Sequence, residues 1–171
     1  EVALALKAPL EVFITRKIGV PGDPELAAGA IAENGDIFVD QGKVEDYAIH
    51  PLYLEREIAR RTQEIAHLQQ VCREGKARRP LKGYRVIVVD DGVATGTTIS
   101  TTLKALRKEH VKKLVLAVPV APLDLMDELQ GAADEVVVLA KPFPFSAVGA
   151  AYERFEQISK EWEEYSVTTG Q

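Results

Sequence analysis

The chain has 171 residues, 46% of them hydrophobic, which is enough to build a core, so residues 1–171 are predicted to form one domain. Its 21 Lys and Arg face 26 Asp and Glu, and the resulting net charge of −5 argues against nucleic acid as a partner. One cysteine and three histidines provide neither an internal disulfide nor a zinc-ligand spacing, and no apolar run reaches membrane length. These features predict a protein of the cytoplasm without a membrane partner.

The N-terminal part of the chain is predicted to contain the end of a helix at residues 2–6 and a strand at residues 10–15. β-branched and aromatic side chains favour the strand, and the polar residues Arg16 and Lys17 are predicted to end it. The sequence starts at Glu1 rather than at a methionine, so we expect it to begin downstream of a native start.

Residues 19–46 are predicted to leave the sheet as a long, mobile excursion, because glycines interrupt the segment repeatedly. Within it, the Asn34-Gly35 dipeptide is a strong turn signal between the apolar triplets 30–32 and 37–39, which favours a hairpin. A flexible loop of this kind could close over a ligand as a lid.

A long amphipathic helix is predicted over residues 52–74. Apolar residues recur there at helical spacing with Arg and Glu between them, and Gly75 follows as a stop signal. The basic residues of this helix are interpreted as a solvated exterior. The histidines His50, His67 and His110 are scattered, and none is assigned a catalytic role.

The region from residue 84 to residue 140 alternates strands with helical patterns. Strands are predicted at 84–90, 114–120 and 135–140, and the continuous apolar run of the first of them predicts burial on both faces. This order is typical of an α/β fold, in which a mostly parallel sheet is flanked by helices and joined by right-handed crossovers. Ligands of such sheets bind beyond the carboxyl ends of the strands.

The C-terminal part is predicted to form a small hood or helix. Its apolar stripe consists of Val148, Ala151, Tyr152, Phe155, Ile158 and Trp162. Phe143 and Phe145 precede this stripe, and their rings could stack on a flat heterocycle or pack under the last helix. The sequence leaves both interpretations open.

The stretch 86–98 is the most informative, because a hydrophobic strand ends in Asp90 and Asp91 and a loop of small residues then opens a helix. The loop residues of interest are Gly92, Ala94, Thr95, Gly96, Thr97 and Thr98. The glycines permit close approach to a ligand, and successive N–H groups at a helix start form a nest for a phosphate. The acids would repel that phosphate, so they are expected to face a diol or a metal ion. Together these groups describe a site for a ribose 5-phosphate.

Residues 86–98 resemble the motif with which the type I phosphoribosyltransferases bind phosphoribosyl pyrophosphate (PRPP), and the wider chain resembles a bacterial branch of that family with a long inserted helix. The resemblance implies Mg²⁺-dependent transfer of the phosphoribosyl group from PRPP to a nitrogenous base, with release of pyrophosphate. Asp90 and Asp91 would be the catalytic acids that hold the ribose hydroxyls and, through ribose or water, the Mg²⁺. The loop at 92–98 would bind the 5-phosphate.

The resemblance also implies where the pyrophosphate binds. Arg16 and Lys17 are the candidates in this sequence, whereas the pyrophosphate loop of the family follows an upstream strand that residues 1–10 do not contain. We therefore expect the site to be incomplete if the chain is truncated. A homodimer is a further expectation that rests on the resemblance alone.

Specific residues of the sequence argue against the competing motifs. A nucleoside-triphosphatase loop requires a lysine where Thr97 follows Gly96, and the dinucleotide fingerprint is missing. A receiver domain requires an acceptor aspartate where the strand at 114–120 ends in Pro119 and Val120. Two alternatives stay open: a non-catalytic regulator that binds PRPP or a nucleotide with the same fold, and a purely structural role of the long helix.

Overall fold

The computed structural model describes residues 1–74 and 76–155, which form two three-stranded sheets with helices packed on them. The helices are α1 (Val2–Leu6), α2 (Gln41–Asp46), α3 (Pro51–Arg73), α4 (Thr97–Lys108) and α5 (Met126–Ala132). The strands are β1 (Thr15–Val20), β2 (Asp23–Ala32), β3 (Ile37–Val39), β4 (Arg85–Val89), β5 (Lys113–Val120) and β6 (Glu135–Ala140). Short 3-10 helices lie at Leu123–Leu125 and Val148–Ala151.

The second half of the described chain forms a parallel sheet with β5 between β4 and β6. Alternate residues of β5 from Leu114 to Val120 are buried, and Leu114 shares a core cluster with Leu103 and Leu106 of α4 and Leu129 of α5. Helices therefore cover this face of the sheet. The predicted α/β class, a parallel sheet flanked by helices, is confirmed.

The prediction that the strand ending at residue 90 is buried on both faces is wrong. Arg85, Ile87 and Val89 are exposed and alternate with the half-buried Val86 and Val88. Within the described residues, β4 pairs with β5 alone, so it is an edge strand with one covered face. Its continuous apolar run therefore does not report burial on both sides.

The first strand lies further along the chain than predicted, because it begins at Thr15 instead of ending there. Pairing with β2 determines its position, with Thr15 opposite Ala32 and Val20 opposite Asp23. Ile14, just before the strand, is buried in the core. Arg16 and Lys17 consequently lie within a strand rather than after one.

The predicted excursion at 19–46 is in fact part of an antiparallel sheet, in the order β1-β2-β3, followed by α2. Ala28 and Ala30 of β2 are fully buried, and a Cβ atom at Gly29 would lie 2.3 Å from the Phe38 carbonyl oxygen. Small residues occur here because the neighbouring backbones lie close together, so the interpretation of the glycines as a loop signal is wrong. The hairpin turn is confirmed, with Gly35 at φ +87° between β2 and β3.

The long helix predicted over 52–74 is confirmed as α3, which is capped by the His50 side chain through the Leu52 N–H. Ile65 and Leu68 pack against Ile14 and Ile31, so α3 lies on the antiparallel sheet. None of the described helices is both long and apolar enough to cross a membrane.

The prediction of a final helix from Val148 onward is wrong for residues 148–155. A 3-10 turn ends at Ala151, and the backbone of Tyr152 is extended. The Phe155 ring lies 5.1 Å from the Tyr152 ring and packs against Gly149, so a folded-back turn satisfies the apolar residues of this segment. Ile158 and Trp162 lie outside the described residues.

Candidate active site

A cavity of about 880 Å³ lies between the start of β1 and the carboxyl end of β4. The start of β1, one face of α3, and the loop that joins β4 to α4 form most of its wall, and Ala27, Thr98, Ile99 and Val148 complete it. Predicted site residues on its wall are Arg16, Lys17, Asp90, Gly92, Ala94, Thr95, Gly96 and Thr98. Asp91 and Thr97 are not among the lining residues, although both belong to the same loop.

The two aspartates follow β4 directly, and the Asp91 N–H donates to the Asp90 Oδ1 at 2.9 Å. Asp90 still reaches solvent, but the surrounding protein raises the pKa of its carboxyl above the ordinary value. Burial is the main cause of this increase. The hydrogen bond from the Asp91 N–H lowers the pKa, and the negative charge of Asp91 raises it. The site therefore holds a carboxylate whose charge is incompletely compensated, as expected of a group that awaits a ligand.

The loop after the aspartates is fixed by close packing. A Cβ atom at Gly92 would lie 2.7 Å from the Cγ1 atoms of both Val120 and Val148, so only glycine fits there. The Val93 N–H donates to the Val120 carbonyl oxygen at 2.9 Å, which ties the loop to the end of β5. Gly96 has a φ of +77°, the left-handed conformation that glycine adopts without strain.

Helix α4 starts at Thr97 with Gly96 as its N-cap, and no side chain caps it. The first N–H groups of a helix have no partner within the helix and carry partial positive charge. Here they lie beside Thr95, Gly96 and Thr98 on the cavity wall. This arrangement suits a phosphate group, as the sequence predicted for this loop.

Tyr152 contacts the acid pair in a way that the sequence did not predict. Its hydroxyl donates to the Asp91 carbonyl oxygen, and burial together with the charges of Asp91 and Asp90 raises the pKa of the phenol. The residue stands 61 positions from Asp91, so no local pattern could have revealed the contact.

The wall formed by α3 was also missed. Arg60, Arg61, Glu64 and His67 line the cavity, whereas the sequence favoured a solvated exterior for the basic residues of this helix. Glu57, on the same helix, is buried and forms ion pairs with Arg60 and Arg61. The hydrogen bond from Arg60 is the main reason why the pKa of Glu57 is lowered. The helical spacing of these residues was visible in the sequence, but nothing in the sequence indicated which face of α3 lines the cavity.

A second, smaller cavity of about 560 Å³ adjoins the first, since Ala94 and Thr95 line both. Phe143 and Phe145 contribute to its wall together with Pro122 and Leu123. The Phe143 side chain is 90% exposed, so this ring does not pack in the core of the described residues.

An acid pair is followed by a glycine-threonine loop at the carboxyl end of a parallel strand, and Asp90 and this loop line one cavity. This arrangement defines an α/β protein with a candidate sugar-phosphate site at this edge of its sheet. The family model "Phosphoribosyl transferase domain" matches residues 1–150, and the chain belongs to this family.

Similar proteins agree with this assignment. A Mycobacterium tuberculosis protein, provisionally named a phosphoribosyl transferase, is 40% identical over 159 residues, which are 93% of this chain and 36% of that protein. Amidophosphoribosyltransferase 1 of Arabidopsis thaliana is 28% identical over 70% of this chain and 20% of its own length. The crystal structure of TT1426 from Thermus thermophilus superimposes with a TM-score of 0.73 at 37% identity, covering 97% of this chain and 78% of that one. This chain therefore spans about a third of the length of its curated M. tuberculosis relative.

Proposed function

We propose that the protein transfers the phosphoribosyl group of PRPP to a nitrogenous base and releases pyrophosphate. One observation carries the proposal: a helix start without a side-chain cap, Asp90 of the acid pair and the cations of β1 all line one cavity. A ligand with a phosphate at one end, a diol in the middle and a second anionic group satisfies all three. PRPP has these parts in this order.

The residues would act mainly by holding the ligand and compensating charge. Residues 94–98 would anchor the 5-phosphate, and Asp90 would accept hydrogen bonds from the ribose hydroxyls. The bond between the anomeric carbon and the pyrophosphate oxygen breaks, its electron pair leaves with pyrophosphate, and the base nitrogen forms the new bond and loses a proton to solvent. The negative charge of Asp90 and Asp91 would favour the positive charge that develops on the ribose ring.

Mg²⁺ is proposed as the cofactor. Among the described residues no group of three or more metal-ligating side chains occurs. Mg²⁺ is nevertheless often held by one or two carboxylates together with oxygens of a phosphorylated substrate, and Asp90 and Asp91 provide such carboxylates. When bound, the ion would neutralise charge on the leaving pyrophosphate.

The second cavity supports a site for the acceptor base. It adjoins the phosphate loop, and the exposed ring of Phe143 beside Phe145 offers an apolar surface on which a flat heterocycle could stack. This location would present the base to the ribose from the side of Ala94 and Thr95.

Calorimetric titration of PRPP with and without Mg²⁺ tests the proposal. We expect Mg²⁺-dependent binding that weakens by roughly tenfold for each carboxylate removed in Asp90→Asn and Asp91→Asn. The matched control is Glu45→Gln with Asp46→Asn, an adjacent exposed acid pair of α2 that does not line the cavity. If the double variant Asp90→Asn with Asp91→Asn bound PRPP as tightly as this control, the proposal would be contradicted.

Pyrophosphate release then separates an enzyme from a regulator. An enzyme releases pyrophosphate from PRPP in the presence of at least one base of a panel of purines and pyrimidines. A protein that binds PRPP and releases none would be a regulator with the same fold.

The raised pKa of Asp90 predicts a dependence on pH. Ionised Asp90 is the form that binds a diol or a cation, and its pKa lies above the ordinary value of 3.8. As the pH falls, Asp90 is therefore protonated earlier than an ordinary aspartate, and PRPP binding should weaken while free carboxylates are still ionised. Titrations from neutral to acidic pH should show this loss in the wild type and not in Asp90→Asn, which serves as the control for protonation of the ligand.

The same shift has a consequence for stability. Because the folded protein takes up this proton more readily than the unfolded chain, ionised Asp90 disfavours folding above its ordinary pKa, and acidification relieves that effect. Asp90→Asn should therefore melt at the same temperature as the wild type or higher.

A further inference from the structure

We propose that α3 supplies part of the pyrophosphate-binding site, with Arg61 as the main ligand and Arg60 and His67 beside it. This inference rests on the proposed function, because it assigns one end of PRPP to a wall of the same cavity. It adds a helix to the two parts of the chain, β1 and the loop 92–98, that the sequence indicated.

The position of α3 supports the assignment. Its side chains line the same cavity as Asp90 and the start of α4, so a ligand anchored by its 5-phosphate at α4 can extend toward α3. Arg60, Glu64 and His67 are spaced four and three residues apart, which places them on one face of the helix. Arg16 and Lys17 of β1 line the cavity as well, so cations from two elements converge on it.

Arg61 is held in place before any ligand arrives. Its Nε donates to the Glu57 Oε1 at 2.9 Å, and its Nη1 donates to the Glu64 Oε2 at 2.8 Å. The side chain is only 15% exposed, which indicates that its rotamer is fixed by these contacts. The guanidinium group has five N–H donors, and its two hydrogen bonds within the described residues use one donor on Nε and one on Nη1, so both donors of Nη2 are available there for an anion. A pre-arranged fork of this kind matches phosphate oxygens with little loss of conformational entropy.

Glu64 makes the role of Arg61 testable by a change of opposite sign. Its carboxylate lines the cavity and binds Arg60 at 3.1 Å as well as Arg61, so it competes with a ligand for both arginines. Neutralising Glu64 should strengthen anion binding, whereas a purely structural network would only be weakened by the same change.

Calorimetric titrations with inorganic pyrophosphate, ribose 5-phosphate and PRPP test the inference. We expect Arg61→Gln to weaken pyrophosphate and PRPP binding by roughly tenfold and to leave ribose 5-phosphate binding unchanged. Glu64→Gln should strengthen pyrophosphate binding by roughly threefold. Arg56→Gln is the matched control, since Arg56 is an exposed arginine of α3 that does not line the cavity.

The outcomes separate this inference from the proposed function. If ribose 5-phosphate and PRPP bind, but Arg61→Gln and Glu64→Gln both keep the wild-type affinity for pyrophosphate, the role of α3 is wrong and the proposed function stands. If the wild type binds neither ribose 5-phosphate nor PRPP, both are wrong. Glu64→Gln retains Arg61, so it decides the question even if Arg61→Gln does not fold, which thermal melting would show.

Discussion

Replacing Glu33 by alanine is expected to destabilise the protein by about 3 kcal/mol, because it removes the only carboxylate that pairs with Arg73 among the described residues and one of the two that pair with Arg78, and both arginines are largely buried. The Glu33 side chain is only 3% exposed. Arg73 Nη2 lies 2.8 Å from its carboxylate, and Arg78 Nε lies 2.9 Å from it. The same carboxylate accepts the Ile14 N–H at 3.0 Å.

This ion cluster joins parts of the fold that are distant in sequence. Glu33 lies in the turn after β2, Arg73 ends α3, and Arg78 reaches Glu109 just after α4. Within the described part of the chain, Arg73 Nε and Arg78 Nη1 are buried without a hydrogen-bond partner, so the cluster already contains incompletely satisfied donors. Loss of Glu33 would leave Arg73 without a carboxylate partner and Arg78 with Glu109 alone, and would loosen the contact of the turn after β2 with the end of α3.

Urea unfolding measures this effect. Glu74→Ala is the matched control, since Glu74 forms an ion pair with Lys76 at 3.3 Å in which both side chains are more than half exposed. Such exposed pairs contribute at most about 1 kcal/mol, so the control should unfold close to the wild-type midpoint. Equal midpoints for Glu33→Ala and Glu74→Ala would show that the buried cluster does not stabilise the fold.

The part of the site that could be predicted from the sequence is the part that is local in the chain. The strand, the acid pair and the loop up to Thr98 are contiguous, so their order alone indicates a phosphate nest beside two carboxylates. Tyr152 and the wall formed by α3 reach the same cavity only through packing. Arg61 is placed there because Ile65 and Leu68, on the neighbouring turns of α3, are buried against Ile14 and Ile31.

The errors in the predicted fold have a common physical origin. The glycines of residues 19–46 indicated a loop, but Gly29 is required where β3 lies close to β2, and α4 packs on that strand as well. The apolar run of β4 indicated burial on both faces, but hydrophobic content alone does not reveal which neighbours a strand has. In both segments, local composition was taken to report an environment that only tertiary packing determines.

The second large effect is expected for Gly92→Ala, at the turn between the acid pair and the phosphate loop. The new methyl group would lie 2.7 Å from Val120 Cγ1 and Val148 Cγ1, and 3.1 Å from the Val120 carbonyl oxygen. Valine side chains are stiff and β5 is central in its sheet, so the loop itself must shift. Overpacking of this kind typically destabilises a fold by about 1–3 kcal/mol.

The displacement of the loop should also reduce ligand binding, since the N–H groups of residues 94–98 would no longer point to one position. We expect Gly92→Ala to lower both the urea midpoint and the affinity for ribose 5-phosphate. The control is Gly131→Ala in α5, where a Cβ atom meets nothing within 4 Å. There alanine is the better helix former by about 0.5–1 kcal/mol, so this variant should be more stable than the wild type and bind normally. Wild-type affinity in Gly92→Ala would mean that the phosphate site does not depend on the packing of Gly92 between β5 and Val148, and that the loop can move without losing its ligand.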